Sequence, residues 1–116
     1  MKIIRLAGIP EENRNGYSIK RILTEPLKHN PENIGFYLTT IPALSKVKCH
    51  FHPLAVEIII FLTNGTIKSG QETYHLSTDD LVVISPREKH EIIADNEVRL
   101  VAVRIPNFPD DKVTCE

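Results

Sequence analysis

The chain has 116 residues, with 14 basic and 15 acidic side chains and a formal net charge of −1. A chain of this length builds one hydrophobic core, so we expect a single domain over residues 1–116. The balanced charge gives no field that would attract nucleic acid or an anionic membrane. No apolar run approaches the roughly 20 residues that span a bilayer, and the N-terminus turns polar too early for a secretory signal. We therefore expect a cytoplasmic protein without nucleic-acid or membrane partners.

Segments rich in β-branched and aromatic residues recur along the chain, separated by clusters of Pro, Gly, Asn and Asp. In chain order they are KIIRL (2–6), GYSIKRIL (16–23), IGFYLTTI (34–41), KVKCHF (46–51), VEIIIFL (56–62), TIKSG (66–70), ETYHL (72–76), DLVVIS (80–85), HEIIA (90–94) and EVRLVAVRI (97–105). This spacing is typical of an antiparallel sandwich or barrel whose consecutive strands pair as hairpins. Asn64 and Gly65 are expected to adopt the positive φ angles of a tight turn. Residues 25–33 and the tail after Ile105 are expected to be irregular.

The stretch KCHFHPLAVE, residues 48–57, carries the first chemical signal. Along an extended strand His50 and His52 project from one face, about 6 to 7 Å apart, at a spacing that suits one metal ion. If VEIIIFL pairs antiparallel with KVKCHF, Glu57 returns to the neighbourhood of His52. His90 lies beyond a later hairpin. Without further support, the two histidines are equally compatible with half-exposed polar positions on a strand.

The remaining histidines and the cysteines carry less information. We expect His29 and His75 to be surface residues. Cys49 and Cys115 are too few for a disulfide framework, and a reducing cytosol would disfavour a bridge between them. Strand alternation points Cys49 away from the face of His50, so we expect Cys49 to have a structural role.

The order and spacing of the four candidate ligands resemble the cupin superfamily. Its first motif is G-x5-H-x-H-x3/4-E-x6-G, and its second is G-x5-P-x-G-x2-H-x3-N. His50, His52 and Glu57 match the first motif, and His90 matches the histidine of the second. The two motifs cover residues 44–94. The departures are all at scaffold positions: Leu44, Asn64, Asp79 and Arg87 replace glycines, Ser85 replaces the proline and Ala94 replaces the asparagine.

The resemblance implies an all-β fold, an antiparallel double-sheet β-barrel of the cupin or jelly-roll type. It also implies that His50, His52, Glu57 and His90 bind one divalent transition metal, and their donor atoms suit Zn, Fe, Mn or Ni. Such a protein is a metal-dependent enzyme acting on a small organic molecule, with isomerase, dioxygenase or lyase chemistry all open. The alternative is a non-catalytic module that binds or senses a small molecule. Nothing beyond the ligands identifies a general acid or base.

Strand alternation suggests which residues surround the ion. Lys46 and Lys48 share parity with His50, and Lys48 is a candidate anchor for an anionic substrate, although strand-end lysines are commonly solvated. Ile59, Phe61 and Ile92 are predicted to form an apolar wall, which any β core also contains. The candidate polar liners, whose direction alternation does not fix, are Tyr17, Tyr37, Tyr74 and Arg104.

The opposite face of the same strands predicts a homodimer. If Glu57 faces inward, Val56, Ile58, Ile60 and Leu62 face outward. On the strand taken as its neighbour, Val47, Cys49 and Phe51 would face outward with them. An apolar patch of that size usually marks a contact with another chain.

Overall fold

The structure, a computed structural model, describes residues 6–23 and 33–115. The predicted strand KIIRL and the proline-containing loop at 25–33 fall almost wholly outside these residues. A 3₁₀ turn, Leu6–Gly8, comes first. The strands are β1 (Glu12–Asn13), β2 (Ser18–Leu23), β3 (Gly35–Ile41), β4 (Ser45–Phe51), β5 (Val56–Phe61), β6 (Gly65–Ser69), β7 (Glu72–Leu76), β8 (Leu81–Ile84), β9 (His90–Ala94), β10 (Val98–Ile105) and β11 (Val113–Thr114). In the part of the chain that the structure describes, no helix has the length and apolar character needed to cross a bilayer.

The strands form two antiparallel sheets. One has the order β1-β2-β3-β10-β5-β8 and the other has the order β11-β4-β9-β6-β7. Every predicted strand segment from GYSIKRIL onward coincides with an observed strand. The predicted all-β, double-sheet architecture of jelly-roll type is therefore confirmed, with the two sheets remaining distinct in the described residues.

The predicted pairing of β4 with β5 is wrong. These strands lie in different sheets, and β5 pairs with β10 and β8 instead. In the connection at 52–55, the amides of Leu54 and Ala55 donate to the Asp111 carboxylate rather than to a strand. The chain therefore crosses from one sheet to the other between His52 and Glu57.

A bulge in β4 overturns another expectation. Val47 lies opposite Ile92 and His50 lies opposite His90, so β4 advances three residues while β9 advances two. The extra residue reverses the alternation of side chains. Val47 and His50 are both buried, whereas Lys46 and Lys48 are exposed. The prediction that these lysines share the face of His50 is therefore wrong, and so is the outward assignment of Val47.

The core lies between the two sheets. The inward assignments of Ile59, Phe61 and Ile92 are confirmed, since these side chains are 1%, 0% and 4% exposed. Gly65 packs against Phe61, and a Cβ atom at this position would lie 2.7 Å from Phe61 Cε1. The lack of a side chain at Gly65 therefore allows the Phe61 ring to pack closely against the backbone there. Neither Asn64 nor Gly65 has a positive φ, so that expectation was wrong.

Positive φ occurs instead at three non-glycine residues: Leu44 (62°), Asp79 (73°) and Arg87 (68°). All three stand where the cupin motifs have glycine. A left-handed conformation costs a non-glycine residue about 1 to 2 kcal/mol, so the surrounding structure holds each of these turns against a local preference. Leu44 is the clearest case. The Leu44 side chain is 89% exposed. The next residue, Ser45, closes the turn by donating its amide to Pro42 O at 3.2 Å.

We predict that Leu44→Gly stabilises the protein by about 0.5 to 1 kcal/mol, because it relieves the left-handed strain and removes a side chain with little burial to lose. Leu54→Gly is the matched control, since Leu54 is also exposed but has no positive φ. That substitution should lower stability by a similar amount. Chemical denaturation of both variants tests this, and equal destabilisation by the two substitutions would contradict it.

The C-terminal tail is more ordered than expected. Cys49 and Cys115 form a disulfide, with their Cα atoms 5.2 Å apart, so the expectation of unbridged cysteines was wrong. β11 pairs with β4, and the Cys115 amide donates to Cys49 O at 2.9 Å. Sequence spacing could not show this, because the bridge depends on the tail folding back across β4. The tail is consequently held beside the histidines.

Candidate metal centre

The four predicted ligands come together between the sheets. His50 and His90 are a cross-strand pair of β4 and β9, and His52 follows the end of β4. Glu57 reaches them from β5 of the facing sheet. All four side chains are buried, and one donor atom from each lies within 4.8 Å of the others. Ligands on opposite sides of an ion with bonds of ~2.1 Å lie about 4.2 Å apart, so this arrangement is close to coordination distance.

The backbone fixes the orientation of all three imidazoles. His50 Nδ1 lies 2.8 Å from Lys48 O, His52 Nδ1 lies 2.5 Å from Asp111 O and His90 Nδ1 lies 3.0 Å from Glu88 O. A carbonyl oxygen only accepts, so each Nδ1 carries the proton and donates it. In the neutral ring the Nε2 lone pair is then free. A hydrogen bond on the distal nitrogen is the usual way in which proteins orient histidine ligands to metals.

The free nitrogens face a carboxylate. His90 Nε2 lies 3.2 Å from Glu57 Oε1, and His52 Nε2 lies 3.6 Å from Glu57 Oε2. Neither buried nitrogen has a hydrogen-bond partner among the residues that the structure describes. Lone pairs opposed to a carboxylate at these distances repel unless a cation lies between them. The donor set therefore fits a divalent transition metal, and the oxygen-rich environment that Ca²⁺ prefers is absent among these four ligands.

The ionisation states favour the same conclusion. Burial, together with the neighbouring His90, lowers the pKa of His50 from 6.5 to about 3. Burial also lowers the pKa of His52. For Glu57, burial by itself raises the pKa, but the positive charge of Arg104 lowers it, and the pKa of this carboxyl lies well below the usual range. The site thus offers neutral His50 and His52 and an ionised carboxylate at neutral pH.

Arg104, whose direction the sequence left open, lies beside the centre. Its Nε donates to Glu57 Oε2 at 3.0 Å, across the β10–β5 pair. Its guanidinium lies over the Tyr37 ring, with Cζ 4.6 Å from the ring centroid. The Tyr37 hydroxyl donates to Asn107 Oδ1 at 2.6 Å, which fixes the ring. Arg104 therefore holds one oxygen of Glu57 and leaves Oε1 directed at His90.

Asp111 is the residue that sequence reasoning missed. Its carbonyl accepts from His52 Nδ1, and its carboxylate accepts from Leu54 N at 3.0 Å and Ala55 N at 2.8 Å. It is 8% exposed, although it belongs to the tail that was expected to be irregular. The only signal in the sequence was an acidic residue between a proline and β-branched residues. Its role depends on a contact more than 50 residues away in the chain.

We predict that Asp111→Ala lowers metal affinity by about 10-fold, because loss of the carboxylate frees the 52–55 turn that places His52. Titration of the metal-free protein with Zn²⁺ against a competing chelator measures this. Asp110→Ala, at an exposed neighbour, is the control and should bind as the wild type does. Equal affinity in both variants would show that Asp111 does not position the ligand.

A cavity of about 150 Å³ opens onto the centre, and His50 and Glu57 form part of its wall. Of the predicted apolar wall, Ile59 and Ile92 line this cavity, whereas Phe61 lies in the core beyond it. Tyr17, Tyr37 and Arg104 also line it.

Lys48 does not line this cavity, and it borders a neighbouring depression on the exposed side of β4. Tyr74 lies elsewhere, in a groove beside β8, and His75 is exposed as predicted. His29 lies outside the described residues.

The metal-free protein should lose stability as the pH falls from about 6.5 towards 3. In this window the unfolded chain binds a proton at His50 that the folded chain does not, so acidification favours unfolding. The lowered pKa of His52 acts in the same direction, and that of Glu57 adds to it at lower pH. Urea denaturation of metal-free protein at pH 7 and pH 5 tests this. His50→Gln should reduce the difference, and greater stability at pH 5 would contradict the assignment.

Comparison with known proteins establishes the fold. No protein-family model matches the chain, and no curated protein matches it. Among solved structures, a predicted oxalate decarboxylase from Thermotoga maritima is similar, with a TM-score of 0.80 and 20% identity over 91% of this chain and 100% of that chain. The polyketide cyclase RemF from Streptomyces resistomycificus has a TM-score of 0.79 and 13% identity, covering 100% and 86% of the two chains.

A third similar structure is an uncharacterised conserved protein with a double-stranded β-helix domain from Klebsiella pneumoniae. Its TM-score is 0.79 at 12% identity, over 100% of this chain and 98% of that chain. The chain therefore has the double-stranded β-helix, or cupin, fold, and the resemblance that the two histidine motifs suggested is confirmed at the level of the fold. At these identities the likeness does not extend to the reaction.

Proposed function

We propose that the protein is a metal-dependent enzyme that acts on a small organic molecule. One divalent transition metal, Zn, Fe, Mn or Ni, is held by His50, His52, Glu57 and His90. The observation that carries the proposal is the pair of buried, unpartnered Nε2 atoms facing the Glu57 carboxylate. The isomerase, dioxygenase and lyase classes all remain open.

Access from the cavity supports catalysis over a closed structural site. His50 and Glu57 border both the ligand cluster and the cavity, so a molecule in the cavity lies beside the coordination sphere. When bound, an ion with an open coordination position acts as a Lewis acid or, as Fe(II), supplies O₂ chemistry. The chain's own residues do the rest: Ile59 and Ile92 exclude water from one side, and Arg104 fixes the orientation of Glu57. A polyketide cyclase among the similar folds is consistent with an enzyme.

The alternative, a binding or sensing module without turnover, is favoured by a different observation. The carboxylates that line the cavity are Glu57, a proposed ligand, and Asp111, whose oxygens are bound by backbone amides. Neither is free to act as a general base. Incubating the metal-loaded protein with a panel of small acids and sugar phosphates separates the two: turnover establishes the enzyme, and saturable binding without turnover establishes the module.

We predict that the double variant His50→Ala/His52→Ala loses stoichiometric metal but remains a folded β protein, because the apolar core beyond the site is intact. Elemental analysis and circular dichroism measure the two properties. His75→Ala removes an exposed histidine outside the centre and should retain the full metal content. One equivalent of metal on the folded double variant would overturn the ligand assignment.

The homodimer stays a proposal, with a revised surface. β5 is flanked by β8 and β10, so its outward side chains continue into theirs and not into those of β4. The exposed members are Ile60, Leu62, Leu81 and Val83, at 37%, 39%, 55% and 58%. Among the described strands, β8 is also the edge of its sheet, with backbone groups that no described strand pairs. A second copy related by a two-fold axis would cover both features.

The cytoplasmic location and the absence of nucleic-acid and membrane partners stay predictions.

Light scattering at micromolar concentration should give twice the chain mass of 13.2 kDa. Val83→Glu should weaken the dimer, because it introduces a charge at the exposed edge. Lys48→Glu, on the exposed side of β4, should leave it intact. A soluble wild-type monomer would contradict the proposed interface.

A further inference from the structure

We propose that the ligand of this cavity is a small carboxylate, held by Arg21 and Arg104, whose guanidinium groups both lie beside Tyr37. The inference rests on the proposed function, since it names the class of molecule that the metal centre acts on. It replaces Lys48, which the bulge in β4 turns away from the cavity, with two arginines on the opposite sheet.

The two arginines lie in adjacent rows of the six-stranded sheet, because Tyr37 lies opposite Ala102 on β10, two residues before Arg104. Arg21 lies opposite Tyr37 in the β2–β3 pair, and Arg104 lies opposite Glu57 in the β10–β5 pair. The guanidinium carbons of Arg21 and Arg104 lie 5.9 Å and 4.6 Å from the Tyr37 ring centroid. Arg21, at 44% exposure, therefore lies towards the rim of the cavity and Arg104 lies beside the candidate ligand Glu57, with both guanidinium groups near the same aromatic ring.

Charge around the cavity favours an anion. Within residues 6–23 and 33–115, four cationic side chains line it: Arg14, Arg21, Arg104 and Lys112. The two lining carboxylates, Glu57 and Asp111, are both engaged, by Arg104 and by backbone amides respectively. Glu12 binds Arg21 and Arg14 from outside the cavity wall. An anionic ligand would therefore meet an excess of positive charge, to which a bound divalent ion adds.

Both arginines have donors to spare. Arg104 uses Nε on Glu57, and Arg21 uses Nε on Glu12 Oε2 at 2.6 Å. Their terminal nitrogens have no hydrogen-bond partner within residues 6–23 and 33–115 apart from these ion pairs. The side chains are 44% and 26% exposed. The planar, fixed fork of a guanidinium matches the geometry of a carboxylate.

The size of the cavity narrows the ligand further. A volume of about 150 Å³ is comparable to a cavity that holds benzene, so it accommodates about six to nine non-hydrogen atoms. A small carboxylate fits within this volume, whereas part of a sugar phosphate would project from the cavity. Apolar contacts from Ile59 and Ile92 suit the hydrocarbon part of such a molecule.

The test compares carboxylates with their neutral amides on the Zn²⁺-loaded protein. Lactate, malonate, succinate and benzoate are titrated by calorimetry beside the corresponding amides, with inorganic phosphate as a separate arm. At least one carboxylate should bind about 10-fold more tightly than its amide, and Arg21→Gln should remove about that factor. Arg99→Gln, the same substitution at an exposed position of β10, should change nothing.

Repeating the titration on metal-free protein distinguishes binding by the arginines from direct binding of the carboxylate to the ion. In the metal-free protein a weaker preference for the carboxylate over its amide should persist, and Arg21→Gln should reduce it. The inference is overturned if no carboxylate is preferred, if Arg21→Gln binds as the wild type does, if the preference disappears without metal, or if phosphate binds more tightly than every carboxylate. Metal content is measured in each sample. Loss of metal binding in the wild type would instead refute the proposed function.

Discussion

The opposition of buried imidazole nitrogens and the Glu57 carboxylate is the constraint on which the rest of this site depends. Each histidine donates its Nδ1 proton to the backbone, so the lone pair of Nε2 is presented to the space in front of the carboxylate. Removing an ionised carboxylate from water is costly unless cations compensate it. Arg104 provides part of that compensation on one oxygen. On the opposite side the four side chains form a group that could hold a divalent metal, which would supply further compensation.

The fold supports this constraint from both sheets. The cross-strand pair of His50 and His90 fixes two ligands on one sheet, and β5 presents Glu57 from the other. Asp111 binds both the His52 ring and the segment 52–55, which crosses from one sheet to the other. The left-handed residues at Leu44 and Arg87 show that the scaffold tolerates local strain around the site. Replacement of the motif glycines therefore leaves the turns in place and costs stability instead.

Much of this could be read from the sequence because the relevant signals are local. Hydrophobic alternation located the strands and the inward face of β5, and the resemblance to the cupin motifs singled out the four residues that come together between the sheets. The bulge in β4 was not readable, since a single extra residue leaves no compositional mark yet reverses the direction of Lys46, Lys48 and Val47. Asp111 and the Cys49–Cys115 bridge were missed because both depend on where the tail folds.

The central claim is that three imidazoles and one carboxylate hold a single metal ion. X-ray absorption spectroscopy of the Zn²⁺-loaded protein tests it most directly. The account predicts a first coordination shell of nitrogen and oxygen atoms at about 2.0 to 2.2 Å, with the outer-shell scattering of three imidazole rings. Sulfur at about 2.3 Å, or scattering from fewer than three imidazoles, would contradict it.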